Sequence, residues 1–101
     1  MKRVLIATLF AACLSQSVFA DEKLAGAKNC LGCHAVGTQV VGPSFKDVAK
    51  KYAGDKSAVD TLAAKVRAGG GGVWGAIPMP ANTQVNEAES KKLVTWILSL
   101  K

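Results

Sequence analysis

Histidine, methionine and proline are scarce in this chain of 101 residues, which contains one His, two Met and three Pro. A single His excludes a site built from two histidines of one chain. The length allows one small domain and excludes folds with a large core, such as a TIM barrel or a doubly wound nucleotide-binding sheet. Half of the residues are hydrophobic, which excludes disorder, but only 6% are aromatic. Because so small a domain usually needs a disulfide, a metal or a bound group, the His and the three Cys are the first candidates.

The beginning of the chain has the pattern of a secretory signal peptide. Lys2 and Arg3 precede an apolar run over residues 4–14, which only one threonine interrupts. This run of 11 residues is too short for a transmembrane anchor, because spanning a bilayer takes roughly 20 residues. Small residues at the −3 and −1 positions predict cleavage after Ala20. We therefore expect export to the periplasm.

This cleavage divides the chain into a signal peptide, residues 1–20, and one domain, residues 21–101. The net charge then falls from +6 to +4, because the two basic residues of the leader are removed. The alternative is lipoprotein processing at Cys13, which a loose lipobox precedes after a very short apolar run. Cys30 and Cys33 remain in the domain, and a disulfide between them would close too small a loop to stabilise the fold much.

Four stretches predict helices, and no alternating pattern predicts a strand. The expected ranges are 22–29, 44–52, 57–68 and 87–100. Asp21 is the expected cap of the first helix. Capping boxes are predicted for the other three, by the pairs Ser44 with Asp47, Ser57 with Asp60 and Asn86 with Glu89. The predicted buried face of the last helix consists of Leu93, Trp96, Ile97 and Leu100, with Trp96 interpreted as a core residue.

The five residues from Cys30 to His34 form a C-x-x-C-H motif, the attachment sequence of c-type haem. The two thiols add to the two vinyl groups of the porphyrin, and the two intervening residues set the separation of the sulfur atoms. The next residue, His34, then ligates the iron through one imidazole nitrogen. The other nitrogen usually donates to a backbone carbonyl. Pro43, whose carbonyl is nearby and whose nitrogen carries no hydrogen, is the candidate acceptor.

Three other interpretations of this motif compete with haem. A thioredoxin-like redox pair needs a βαβ context, which the sequence lacks. A zinc site needs four ligands, and only Cys30, Cys33 and His34 are available locally. The third alternative is a plain disulfide with a neighbouring His. The leader sequence, the helical context and the small core all favour haem.

The sixth ligand of a low-spin haem is expected in the long loop over residues 69–85. Met79 is the only Met after the predicted cleavage position, and Pro78 and Pro80 stiffen the backbone on both sides of it. A thioether is a soft ligand that favours reduced iron and raises the reduction potential. A lone Met can also fill a core, but the flanking prolines fit that role poorly. Met79 is therefore the predicted sixth ligand.

Taken together, these motifs make the sequence resemble the small bacterial cytochromes c-551/c-552, which are class I c-type cytochromes. The resemblance covers essentially all of residues 21–101. The matching segments are residues 30–34, Val41-Gly42-Pro43, Gly72-Val73-Trp74-Gly75, Ile77-Pro78-Met79-Pro80 and the C-terminal helix with Trp96. The resemblance implies an all-α class I cytochrome c fold, with about four helices around one covalent haem c and with the first and last helices crossing. It also implies axial ligation by His34 and Met79.

The same resemblance implies residues that support the haem pocket. They are Pro43 for the His34 imidazole, Asn82 for the ligand sulfur, Trp74 for one haem propionate and Lys65 for the other. Arg67 is an alternative to Lys65, because residues two apart on a helix point in different directions. Tyr52 is either a packing residue or a further propionate donor. The sequence departs from the family at Ala81, where many members have a second proline after the Met; this difference is expected to loosen the loop.

The expected function is one-electron transfer rather than catalysis, because six-coordinate iron has no open position for a substrate. The resemblance implies a donor such as a membrane quinol-oxidising complex of the cytochrome bc1 type, and a terminal oxidase or a nitrite reductase as acceptor. Surface lysines are expected to steer an acidic redox partner to the haem edge. We expect a monomer that neither binds nucleic acid nor inserts stably in a membrane. The alternative is a ligand-sensing or peroxidatic haem protein, which requires Met79 to be absent from the iron.

Overall fold

The computed structural model describes residues 16–101, so that most of the predicted signal peptide, and Cys13 with it, lies outside the described residues. Four α-helices follow one another: α1 (Gln16–Ala27), α2 (Phe45–Lys51), α3 (Ala58–Ala68) and α4 (Glu87–Leu98). A 3₁₀ turn over Cys30–Gly32 lies between α1 and α2. Residues 16–101 contain no strand, although Gly70 and Met79 form an isolated antiparallel bridge. The expected all-α architecture of about four helices is confirmed.

Helix α4 is the centre of the packing, since α1, α2 and α3 all contact it. Its inner face is formed by Leu93, Trp96 and Ile97, which are buried against Phe45 of α2 and Ala25 of α1. The Trp96 ring lies edge-on to the Phe45 ring, with 5.6 Å between their centroids. Trp96 is only 4% exposed and its buried Nε1 has no hydrogen-bond partner, so it contributes by packing. Its predicted role as a core residue is confirmed.

Two of the predicted helix caps are present. At α4, Glu89 N donates to Asn86 Oδ1 at 2.8 Å and Asn86 N donates to Glu89 Oε1 at 3.1 Å, which completes the predicted capping box. At α2, Asp47 N donates to Ser44 Oγ at 3.0 Å, which is one of the two bonds of the predicted capping box; the return bond from the Asp47 side chain is not formed. Both caps satisfy backbone N–H groups that have no partner within the first helical turn. Helix α4 ends at Leu98, two residues before its predicted end.

The predicted capping box of Ser57 with Asp60 is wrong. Ser57 N and Oγ both donate to Asp55 Oδ1, at 2.9 and 2.8 Å, and no cap bond from the Ser57 side chain is formed. Ser57 has φ −92° and ψ −3°, close to helical values, so it already lies in the first turn. The Asp55 carboxylate therefore competes successfully for its donors. The bond from the Ser57 hydroxyl is the main reason why the pKa of Asp55 is lowered.

Helix α1 also differs from the prediction. Its described part covers Gln16–Ala27, so that residues 16–21 are helical in addition to the predicted range from residue 22. Asp21 therefore lies inside the helix and is not its cap; its buried Oδ1 lies 3.6 Å from Lys92 Nζ. The helix ends before Asn29, whose left-handed φ of 69° turns the chain into the 3₁₀ turn.

Candidate cofactor site

A cleft opens between the helices and the loop that connects α3 to α4. The lining is mostly apolar side chains and glycine backbone. Within it lie Cys30, Cys33 and His34 from the turn after α1, and Met79 from the loop. The structure thus brings together the four residues that the sequence singled out.

The His34 imidazole is oriented by a carbonyl oxygen and by an aromatic ring. Its Nδ1 donates to the Pro43 carbonyl at 2.8 Å. Because a carbonyl can only accept, the proton is on Nδ1, and the lone pair of Nε2 is available for a metal. Phe45 stacks on the imidazole with 5.1 Å between the centroids and 24° between the planes. Phe45 is only 3% exposed, so the buried core supports the orientation of His34.

Gly42 approaches the same imidazole so closely that no side chain fits there. A Cβ at this position would lie 2.6 Å from His34 Cε1 and 2.9 Å from Nδ1. The Gly42 N–H also donates to the Cys33 carbonyl at 2.7 Å. Sequence reasoning missed this role, although a glycine immediately before Pro43 was the available signal. Because Gly42 has no side chain, the His34 imidazole can pack directly against its backbone.

A tight turn holds the two thiols next to His34. Both Cys33 N and His34 N donate to the Cys30 carbonyl, at 3.2 and 3.0 Å. Cys30 is half-buried, Cys33 is exposed, and the two do not form a disulfide. Burial raises the pKa of the Cys30 thiol more than its backbone hydrogen bond lowers it. Within residues 16–101, no group of three or more His, Cys, Asp or Glu side chains is arranged to hold a metal ion.

The loop that carries Met79 is closed by a pair of backbone hydrogen bonds. Gly70 N donates to Met79 O at 3.0 Å, and Met79 N donates to Gly70 O at 2.7 Å. Gly69 has φ 81° and ψ 177°, and a Cβ there would lie 2.8 Å from both Met79 O and Ala81 N. Only glycine allows this conformation and this close approach. Gly69, the first of four consecutive glycines, thus allows the end of α3 to pack closely against the Met79 segment.

The predicted supporting residues take different positions. Asn82 does not line the cleft. Its Nδ2 donates to Val66 O of α3 at 3.0 Å and to Pro80 O at 3.3 Å. The bond to the Met79 sulfur that the resemblance implies stays a prediction.

The two basic candidates on α3 point to different sides. Lys65 lines the cleft, and its Cε lies 3.2 Å from the position of a Cβ at Gly70. Arg67 instead donates from Nε to the hydroxyl of buried Ser90 on α4, at 3.2 Å. Of the two alternatives, Lys65 is therefore the one whose charge lies at the cleft.

Trp74 lies at the mouth of the cleft and is 42% exposed. The Lys51 ammonium is 5.6 Å from the centroid of its ring and 5.9 Å from the centroid of Tyr52, which also lines the cleft. Both distances are within the range of cation–π attraction. Lys51 therefore bridges two aromatic rings at one edge of the cleft, a contact that was not predicted.

These residues fit a covalently attached haem. Two thiols, an imidazole with an available Nε2 and a thioether share one apolar cleft, and they match the sulfur and nitrogen ligation of c-type haem. When bound, haem supplies an iron that changes its charge by one electron. The fold and the site together define a c-type cytochrome.

Comparison with known proteins agrees with this class. The Cytochrome c family model matches residues 22–101. Cytochrome c-552 of Hydrogenobacter thermophilus is 50% identical, and cytochrome c-552 of Nitrosomonas europaea 47% identical, each over the full length of both chains. The crystal structure of the wild-type Nitrosomonas europaea cytochrome c552 has a TM-score of 0.78 and 51% identity, covering 79% of this chain and 99% of that one.

The chain belongs to the cytochrome c family, as a class I c-type cytochrome with one covalently bound haem c. It is an electron carrier rather than an enzyme, and such a carrier requires redox partners.

Proposed function

We propose that this protein carries single electrons in the periplasm, with haem bound through Cys30 and Cys33 and ligated by His34 and Met79. The observation that supports this most strongly is the convergence of these four side chains on one apolar cleft. Ligation on both sides of the iron leaves no position for a substrate, so that the redox change is confined to the metal. The His34 Nδ1 bond to Pro43 would hold the imidazole in one orientation towards the iron.

Export by cleavage after Ala20 is the second element of the proposal. The family model begins at residue 22, immediately after the proposed cleavage position. The solved relative from Nitrosomonas europaea likewise corresponds to 79% of this chain, the share expected for residues 21–101. Within residues 16–101, no helix has the length and apolar character needed to cross a membrane.

The docking surface that we propose lies around the mouth of the cleft. Val41, Val73, Trp74 and Ile77 line the cleft, so that the edge of a bound haem would be surrounded by apolar side chains there. Lysines of α2, at positions 46, 50 and 51, supply positive charge for an acidic partner. We propose a bc1-type quinol-oxidising complex as donor, a terminal oxidase or nitrite reductase as acceptor, and a monomeric carrier.

A redox titration of the purified periplasmic holoprotein, with optical detection, tests ligation and carrier function together. We expect a single one-electron transition, and in the oxidised protein a weak sulfur-to-iron band at the red end of the spectrum. A high-spin oxidised spectrum without this band would instead support the ligand-sensing or peroxidatic alternative.

Mass spectrometry of the same protein tests its processing. We expect a chain that begins at Asp21 and carries the mass of one haem, and a haem stain that survives denaturing electrophoresis. A lipid-modified chain that begins at Cys13 would contradict the proposed cleavage.

A further inference from the structure

The C-terminal part of the Met79 loop is tied to the end of α1 by a reciprocal pair of hydrogen bonds. Gln84 Nε2 donates to the Lys28 carbonyl at 2.8 Å, and Lys28 Nζ donates to the Gln84 carbonyl at 3.1 Å. The two residues are 56 positions apart in the sequence, so these bonds join segments that only the fold brings together. We call Lys28 and Gln84 the clasp.

On the loop side, the clasp continues towards Met79. Gln84 Nε2 also donates to Asn82 Oδ1 at 3.2 Å. Asn82 in turn donates from both its backbone N and its Nδ2 to the Val66 carbonyl of α3, at 3.1 and 3.0 Å. Its Nδ2 also reaches Pro80 O, one residue after Met79. Gln84 therefore orients the side-chain amide of Asn82, which holds the segment after Met79 against α3.

On the other side, the clasp is connected to the haem-attachment turn. Only Asn29 separates Lys28 from Cys30, and Lys28 N donates to Leu24 O at 2.9 Å, so its main chain belongs to the last turn of α1. Lys28 Nζ is also 3.3 Å from Glu89 Oε2, in the capping box of α4. The clasp thus joins the loop to the two helices that pack together beside the cleft.

All three bonds of Gln84 lie at the exposed surface, where water competes for each donor and acceptor. Their loss should therefore affect local opening of the loop much more than unfolding of the buried core. We propose that Gln84 is a positioning residue, and that the clasp sets the rate at which the Met79 segment leaves the cleft. This inference rests on the proposed ligation of iron by Met79.

The test is the rate at which imidazole binds to the oxidised holoprotein, measured by stopped-flow absorbance. Imidazole reaches the iron only when Met79 has left it, so the rate reports loop opening. We expect Gln84→Leu to bind about three- to tenfold faster than the unaltered protein, the change expected for one surface hydrogen-bond group. Thr83→Ala is the matched control, because Thr83 is exposed and its side chain makes no hydrogen bond in residues 16–101; we expect no change.

Gln84→Glu distinguishes hydrogen bonding from packing, because glutamate has nearly the same shape but its carboxylate cannot donate. We expect Gln84→Glu to be as fast as Gln84→Leu at pH 7, with the thermal unfolding midpoint of both variants close to that of the unaltered protein. If only Gln84→Leu were faster, packing rather than the clasp would hold the loop. Equal imidazole-binding rates in the unaltered protein, Gln84→Leu and Gln84→Glu would also refute the proposed role of the clasp.

Met79→Ala provides the reference for full opening and separates the two proposals. We expect it to bind imidazole without the slow opening step. If Met79→Ala bound no faster than the unaltered protein, the proposed ligation would be wrong. If Met79→Ala were fast while Gln84→Leu remained at the unaltered rate, ligation would stand and the role of Gln84 would be refuted.

Discussion

The two sides of the cleft are held by different kinds of interaction. His34 has a carbonyl acceptor at 2.8 Å and stacks on Phe45, which is only 3% exposed and belongs to the helical core. Met79 comes from a loop of mostly exposed residues that is closed by two backbone hydrogen bonds and by side-chain bonds at the surface. Exposed hydrogen bonds open at lower free energy than a packed core. Changes on the His34 side should therefore affect the whole domain, and changes on the Met79 side should act locally.

The largest expected effect is that of His34→Ala. This substitution removes an iron ligand together with the ring that stacks on Phe45, so we expect no stable holoprotein. The yield of haem-staining, low-spin protein from the periplasm is the measurement. Recovery of a normal low-spin product would show that His34 is not needed to hold haem in the folded domain.

Met79→Ala should have a smaller and more local effect. We expect covalent haem to be retained through the two thiols, with loss of the red-end band and a shift of the oxidised iron to high spin. Thr83→Ala, which alters an exposed residue of the same loop that does not line the cleft, is the control and should leave the spectrum unchanged. An unchanged spectrum in Met79→Ala would refute the ligand assignment.

Gly42→Ala tests how tightly the His34 side is packed. The added methyl group would lie 2.6 Å from the imidazole, and an overpacked core typically loses 1–3 kcal/mol, so we expect a loss of about 2–3 kcal/mol in the free energy of unfolding. Gly37→Ala is the control, because a Cβ at Gly37 meets nothing within 4 Å. Denaturant unfolding of the holoproteins measures both, and an equal stability of the two variants would mean that the imidazole can move aside.

Gly69→Ala makes the matching change on the Met79 side, and Gly54→Ala is its control. Both glycines have φ 81°, but only at Gly69 would a Cβ meet backbone atoms, at 2.8 Å, whereas Gly54 faces open space. Placing an alanine at this positive φ costs about 1 kcal/mol, and this cost is the same in both variants. We expect Gly69→Ala to lose about 1–2 kcal/mol more, and to accelerate imidazole binding. A stability loss without faster binding would contradict a locally opening loop.

The smallest expected effect is that of Glu89→Gln on the free energy of unfolding at acidic pH. The backbone N–H of Asn86, with a smaller contribution from Lys28, holds the pKa of Glu89 below its usual value of 4.5. Because the folded-state pKa is the lower one, the resulting stability is fully present above about pH 4.5 and is lost as the pH falls through the folded-state pKa. We expect Glu89→Gln to show a shallower decline of stability in this window.

Urea unfolding at pH values from 5 downwards measures this decline. Glu87→Gln, in the same turn of α4, removes the same charge without touching the capping box or Lys28. An identical dependence of the unfolding free energy on pH in Glu89→Gln and Glu87→Gln would show that the contacts of Glu89 with Asn86 and Lys28 add nothing to stability.

The success of the sequence-based predictions depended on whether competing hydrogen-bond partners lay within reach. The Asn86 capping box involves residues three apart, and it was predicted correctly. The equally local prediction at Ser57 failed, because Asp55 offers a competing acceptor two residues earlier. The bond from the Asn82 amide to the Val66 carbonyl, 16 positions away, was not predicted. The choice between competing partners depends on distances that only the folded chain defines.

The sequence by itself determined the chemistry of this protein. The C-x-x-C-H spacing, the one His and the one Met between two prolines are covalent properties of the chain, and the helical periodicity follows from the order of apolar residues. The tertiary structure decided how each ligand is held. The contacts of Gly42 with His34, of Gly69 with the Met79 segment and of Gln84 with Lys28 depend on how helices and loops pack. The Gln84–Lys28 contact joins residues 56 positions apart, and local sequence preferences cannot specify such a contact.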